Sequence, residues 1–350
     1  MKPNRPQNLP VKLDITNLIK ELREAAFELG RLDGHKDLPN PSFLIAPLTT
    51  KEATVSSKIE GTRSTVADVF LYESEKESKY SDTVEVANYK AATLWAMRVL
   101  KDRKLNLSFI QELHSMLLTG ARGEAKKGKF REEQVFIGKE GTTIEQATYI
   151  PPEPIFIRDC MENLENYILN DDEDALIKAA IIHYQFEAIH PFSDGNGRIG
   201  RLIIPLYFYQ IGLLYQPILY LSGYFERNRD QYIDILHKVD ETKKYEEWVK
   251  FFLISVKEQA KETQLIIDKI RMLFTKIQEK TDIVKSPYIA KVLNFIFKKP
   301  VFNTKELSLE IKANRITALR LIKRLIGLGI LEVVPKKKGI YIFRDLIKIL

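Results

Sequence analysis

The chain has 350 residues, 45% of them hydrophobic and 29% charged, with a formal net charge of +7 and a pI near 9.1. That length points to two or three domains, and the apolar and charged fractions are ordinary for a globular protein. A lone cysteine, Cys160, excludes an internal disulfide and favours a reducing, cytoplasmic setting. The N-terminal MKPNRPQNLP has no signal-peptide core, and the basic balance fits a nucleotide or nucleic acid as well as a solvated surface.

Apolar residues at three- and four-residue spacing predict helices over 14–30, 83–101, 108–118, 155–169, 173–188 and 225–240. Residues 50–59 are also helix-compatible, and Gly61 can end that helix. Taken alone, Ser56-Ser-Lys-Ile-Glu60-Gly61 reads as an ordinary helix end with an exposed glutamate. Asn106 or Ser108 could cap the helix that follows it. Residues 130–152 differ: Gln134-Val-Phe-Ile-Gly138 and Ala147-Thr-Tyr-Ile-Pro151 alternate in the manner of two short strands, which predicts a β-hairpin within a helical domain.

The densest chemistry lies in His190-Pro-Phe-Ser-Asp-Gly-Asn-Gly-Arg-Ile-Gly-Arg201. Gly195 and Gly197 let successive N–H groups converge on one anion. A helical pattern follows at once (Leu202, Ile203, Leu206, Tyr207), so the loop feeds a helix N-terminus, itself an anion site. Arg198 and Arg201 are three apart and share a helix face, where both can reach one phosphate chain. Asp194 is a hard oxygen ligand suited to Mg²⁺, and His190 is the one group of the loop able to act as a base near neutral pH. A lone Gly-x-Gly would be only a helix cap; the full set carries the reading. The apolar run from Leu202 to Leu221 is broken by Pro205, Gln210, Gly212, Gln216 and Pro217, which predicts a buried helix ending near Gly212 and no membrane span. His183 reads as a core histidine. His35, His114 and His237 lack ligand-like spacing, so no zinc site is expected. Asn228 could read a purine or ribose edge, and Tyr224 and Tyr232 are either an aromatic wall beside it or core residues.

The stretch 190–201 resembles the signature of the Fic family, His-Pro-Phe-x-(Asp/Glu)-Gly-Asn-Gly-Arg-x-x-Arg, with every fixed position matched. The resemblance covers roughly residues 40–240. It implies a protein adenylyltransferase, an enzyme moving AMP from ATP to a Ser, Thr or Tyr hydroxyl of a target protein. In that reading His190 is the base and Asp194 holds Mg²⁺. Asn196 and the amides of Gly195 and Gly197 hold the α-phosphate, Arg198 and Arg201 the β- and γ-phosphates, and Ile199 and Gly200 complete the nucleotide-binding loop. Ser56 to Gly61 resembles the family's inhibitory motif, (Ser/Thr)-x-x-x-Glu-(Gly/Asn), which implies an ion pair between Glu60 and Arg201 that withholds the arginine from the γ-phosphate. The hairpin near 134–150 would be the flap that presents the target hydroxyl, and Asn228 would contact the nucleotide. AMP removal, with Glu60 orienting a water, or transfer of another phosphate-linked group would use the same site. A nucleotide-sensing DNA-binding regulator is the alternative of a different class.

Residues 244–280 read as one long amphipathic helix or a pair. Beyond it, Ser286-Pro287 opens a helical pattern to Lys299-Pro300, Asn303 or Thr304 caps a short helix to Ile311, and Asn314 starts another. In that last helix Ile316, Leu319, Ile322 and Leu325 are expected inward, and Arg315, Arg320, Lys323 and Arg324 outward. Leu331-Glu-Val-Val334 and Ile340-Tyr-Ile-Phe343 read as strands around Pro335-Lys-Lys-Lys-Gly339. This order resembles a winged helix, which could meet DNA phosphates or serve as an interaction module. The expected organisation is mainly α: an N-terminal helical region (1–105) with its inhibitory helix, a Fic-type core with its hairpin flap (106–245), a connecting helix (246–282) and a winged helix-turn-helix domain (283–350). The long helix and basic module could support a homodimer.

Overall fold

The structure, a computed structural model, describes residues 2–34, 42–75, 82–121, 123–138, 141–170 and 172–350. Helices α1 (Ile19–Asp33), α2 (Ser42–Ile59), α3 (Val66–Glu75) and α4 (Thr83–Val99) form its N-terminal part. They are followed by α5 (Leu107–Leu117), α6 (Pro154–Asn170), α7 (Ala175–Ile189), α8 (Asn196–Gln210), α9 (Ser222–Arg227) and α10 (Arg229–Thr242). One unbroken helix of 36 residues, α11 (Glu246–Thr281), leads to the C-terminal unit.

Each start has a local cause. Asn106 accepts from the amide of Phe109 at the head of α5, and Asp174 accepts from Leu176 and Ile177 at the head of α7. The helix expected over 225–240 breaks at Asn228, whose backbone leaves the helical region and separates α9 from α10. Every residue of α7 except Ala175 and Glu187 is buried, and α8 is buried from Asn196 to Phe208 apart from Gly197. This pair therefore forms the centre of the molecule, where each large apolar side chain contributes roughly 1.5–3 kcal/mol. Packed around it, α2 lies against α4 and α9, α4 against α5 and α8, and α1 runs along α11. No helix among the described residues is long and apolar enough to cross a membrane.

The C-terminal unit comprises α12 (Ile289–Lys298), β1 (Val301–Asn303), α13 (Thr304–Glu310), α14 (Arg315–Gly327), β2 (Glu332–Val333), β3 (Ile340–Ile342) and α15 (Arg344–Ile349). Its antiparallel sheet has the order β1-β3-β2, with Phe302 opposite Tyr341 and Val333 opposite the same tyrosine on the other side. Asn303 caps α13 in a reciprocal box with Glu306, and Asn314 caps α14. The unit packs on the N-terminal part: α12 lies against α2, β1 lies against α3, and Phe70 joins Val301, Ile340 and Ile342 in a small apolar cluster.

Two further expectations are corrected, and one element is new. The hairpin over 134–151 does not form two strands among the described residues; it is reduced to one antiparallel bridge, Ile137 to Tyr149. A 3₁₀ turn, Ile144–Gln146, lies in the connection between the two expected strands. Ile316 and Leu319 point outward, 80% and 36% exposed, while Ala318, Leu321, Ile322 and Leu325 face the core. The inward stripe of α14 is thus rotated from the expected one. Strand β1, too short at three residues to show a period, was not foreseen.

Candidate active site

The loop between α7 and α8 is held from four sides. His190 ends α7 in the left-handed region, at φ 49° and ψ 59°, a conformation costly for a residue with a Cβ. Arg131, 3% exposed, donates from Nε to the carbonyl of His190 (2.8 Å), from Nη2 to Pro152 (2.7 Å) and from Nη1 to Glu133 (3.0 Å), while its amide bonds Pro191. The Tyr149 hydroxyl donates to the carbonyl of Ala188 (2.7 Å). Both functions of the Asn196 amide close on Phe192, accepting from its N–H and donating to its carbonyl at 2.8 Å each. His114 stacks on the Phe192 ring at 3.7 Å and contacts the Asp194 carbonyl through Nε2 (2.9 Å). Because its Nδ1 accepts from the amide of Gly128, Nε2 carries the proton.

Gly195, at φ 81°, forms the left-handed N-cap of α8. The first two turns of α8 then present two arginines, each engaged by a carboxylate from the N-terminal part. Arg201, 3% exposed, donates from Nη2 to Glu60 (2.7 Å) and to the carbonyl of Ser56 (2.9 Å), and from Nε to the Ser56 hydroxyl (2.9 Å). Arg198, 1% exposed, donates from Nη1 to Glu85 of α4 and from Nη2 to Asp194 (3.3 Å). Asp194 also accepts from the amide of Gly195 (2.6 Å). Gly200 lies under Glu187, and Ile199 belongs to the core. Asn228 sits apart from this turn, half-buried, with its amide donating to Tyr224 (2.9 Å). Tyr232 is buried, stacked on Phe225 and bonded to His183 Nε2, which makes it a core residue and not a wall. His35 lies outside the described residues, and no metal-sized cluster of His, Cys, Asp and Glu occurs among those described.

Electrostatics follow from burial. Desolvation, then Arg131, pushes His190 down to about 4, so the ring is neutral at pH 7 and can accept a proton. Burial likewise lowers His114 to about 4 and His183 to about 3. Glu60 is 38% exposed on its side chain; desolvation would raise it, but Arg201 outweighs that and holds it below the usual carboxylate range. Two further carboxylates go the other way. Burial raises Glu52, bonded by Ser222 and Tyr89, to about 7, and it raises Glu187 to about 7.

Of the residues singled out in the sequence, the fold brings His190, Asp194 to Arg201, Ser56 and Glu60 together, while the Asn228 side chain bonds Tyr224 instead. Sequence reasoning missed Arg131, His114, Glu85, Glu52 and Glu187. None stands in a motif, and only contacts made across the fold reveal them.

Residues 104–208 match the Fic/DOC family, and residues 19–98 match the Fic/DOC family N-terminal region. The chain is 27% identical over 201 residues to a probable protein adenylyltransferase of Aquifex aeolicus, covering 55% of this chain and 56% of that protein. It is 28% identical over 259 residues to the protein adenylyltransferase Fic of Culex quinquefasciatus, covering 69% of this chain and 48% of that protein. The chain thus spans about half the length of these curated relatives. A crystal structure of a Fic family protein from Desulfovibrio desulfuricans G20 superposes with a TM-score of 0.61 at 19% identity, over 97% of this chain and 98% of that one, a likeness of fold.

Proposed function

We propose, from the Fic/DOC family domain and N-terminal Fic region that this chain carries, that it is a protein adenylyltransferase restrained by its own Glu60. The observation that carries the reading is the neutral His190 held beside an α8 N-terminus whose first two turns supply two arginines. His190 accepts the proton of a Ser, Thr or Tyr hydroxyl of the target protein, presented near the 134–150 segment. The freed oxygen attacks the α-phosphorus of ATP, the bond from that phosphorus to the bridging oxygen breaks, and pyrophosphate leaves. The amides of Gly195 and Gly197, with Ile199 and Gly200 behind them, cradle the α-phosphate at the helix N-terminus. Arg198 and Arg201 face the β- and γ-phosphates. The Asn196 side chain, closed on Phe192, shapes this cradle from behind, and Asn228 faces the nucleoside. Asp194, 29% exposed, is a single carboxylate of the kind that suffices for Mg²⁺ when phosphates and waters complete the shell. Bound there, Mg²⁺ supplies charge neutralisation.

With Glu60 on Arg201 and Ser56 locking the same guanidinium, the γ-phosphate meets a neutralised arginine and a repelling carboxylate. The same carboxylate beside His190 suits a second reading, removal of AMP by a water that Glu60 orients. The C-terminal unit, 283–350, reads as a winged helix-turn-helix joined by a connecting helix to the core of 106–245. The basic residues Arg320, Lys323 and Arg324 on its α14 suit duplex DNA. A reducing cytoplasm suits Cys160, which is free and buried.

Labelled ATP tests the central reading. Glu60→Gly protein should incorporate label, wild type far less, and Glu60→Gly/His190→Ala none. Equal labelling with and without His190 overturns the mechanism.

A further inference from the structure

Arg198 is almost wholly buried, yet the residue that meets it most closely is not in the loop. It is Glu85, 113 positions away in the first turn of α4 and itself only 12% exposed on its side chain. An acidic residue in a first helical turn is favoured by the helix dipole alone. The dipole does not account for drawing that carboxylate into the interior against a distant guanidinium. With Nη1 on Glu85 and Nη2 on Asp194, Arg198 faces two carboxylates, and its Nε is buried without a partner.

We infer that Glu85 is a positioning residue of the phosphate site: it holds Arg198 neutralised as Glu60 holds Arg201, so that two carboxylates restrain the two arginines. The inference rests on the reading of α8 as a polyphosphate site.

The two carboxylates are mechanically joined. Glu60 follows α2 and Glu85 opens α4, and these helices pack against each other. The segment after Glu60 is tied to the start of α4: the Arg63 amide donates to Asp82 (2.7 Å), and the Ser64 hydroxyl bonds both Asp82 and Thr83. The chain that carries one carboxylate is thus fastened three residues before the other. Loss of Glu60 alone frees Arg201 and leaves Arg198 with no net positive charge to offer a triphosphate. Loss of Glu85 removes one of the two negative charges facing Arg198 and leaves it paired with Asp194 alone, so the site repels a triphosphate less and the second arginine then adds to binding.

Calorimetry with inorganic tripolyphosphate and the full chain tests this. Glu60→Gly is the reference. Glu60→Gly/Glu85→Gln keeps the shape and hydrogen bonding of Glu85 and removes its charge; it should bind tripolyphosphate about three- to tenfold tighter, with the gain shrinking as salt rises. Glu60→Gly/Glu85→Asp, which keeps the charge and draws it back, should fall between the two and serves alone if the glutamine variant does not fold. A carboxylate that merely supports the fold predicts the opposite order, with both variants weaker than the reference. That order, or equal affinity in all three, overturns the inference and leaves the phosphate site standing. Absence of binding in every protein overturns both.

Discussion

The Glu60 carboxylate rests directly over Gly197: a Cβ at that glycine would lie 2.4 Å from Glu60 Oε1 and 2.8 Å from Arg201 Nη1. Glycine stands there for space, since its φ is not among the positive ones. Gly197→Ala should therefore destabilise by about 1–3 kcal/mol through overpacking. The helix preference of alanine, about 1 kcal/mol, offsets only part of that. Combined with Glu60→Gly, most of the penalty should vanish, because the nearest clashing atom is gone. Urea unfolding of the four proteins measures it. An unchanged penalty in the double variant means that Glu60 does not sit over the turn.

Arg131 joins His190, Glu133 and Pro152 through one guanidinium. Arg131→Ala leaves three carbonyls to find new partners and should cost roughly 2–4 kcal/mol. It should also reduce kcat, since the backbone bond from Arg131 to Pro191 would then be left without the side-chain tie to the strained His190 carbonyl. Arg131→Lys should recover little, because a single ammonium cannot span a fork of three acceptors. Full recovery by lysine would show that charge alone matters there.

The pH dependence of stability has a definite sign. His114, His183 and His190 have folded values of about 4, 3 and 4, below the ordinary 6.5, so the unfolded chain binds more protons as pH falls from about 6.5. That stability is present above 6.5 and is lost on acidification. Glu52 and Glu187, raised to about 7, act oppositely: they stay protonated in the folded protein where the unfolded chain has lost those protons. Near pH 5.5, three protons gained on unfolding are set against two released. Stability should thus rise with pH by only about 1.4 kcal/mol per unit. Glu52→Gln/Glu187→Gln should roughly triple that slope. Chemical denaturation at half-unit steps from pH 5 to 6.5 reads it, and an unchanged slope would mean that the two carboxyls are ionised in the folded protein.

Much of this was legible in the sequence, and the exceptions have physical causes. Periodicity located α1, α4 to α8 and α11 because each buries one face or, like α7, nearly all of it. The chemistry of 190–201 was legible because it is contiguous. The pair of Glu60 and Arg201, 141 positions apart, became legible only through two motifs read together. Glu85 and Arg131 stand in no motif, so their partners were invisible before the fold was in hand. The turn of α14 was misjudged for a related reason. Both stripes of that helix hold aliphatic residues, and packing against α13 selects Ala318, Leu321, Ile322 and Leu325.

The outward stripe of α14 carries the last prediction. Ile316 and Leu319 are exposed among Arg320, Lys323 and Arg324, and the helix contains no acidic residue. These residues line an open concavity of about 420 Å³. In the loop between β2 and β3, Lys337 is paired with Glu75 of α3, so that loop is partly committed to the body and α14 must supply most of the contact with a polyanion. If the partner is duplex DNA, replacing Arg320, Lys323 and Arg324 by glutamine should weaken binding and lower the slope of log affinity against log salt by about 2.7, at roughly 0.9 for each phosphate contact. Ile316→Ala should leave that slope intact and reduce discrimination among sequences, because an aliphatic side chain can meet a thymine methyl and carries no charge. Fluorescence anisotropy over 50–200 mM salt distinguishes the two variants. Failure of the wild type to bind any duplex at low salt would reassign this stripe to a protein partner, for which exposed isoleucine and leucine between arginines are equally suited.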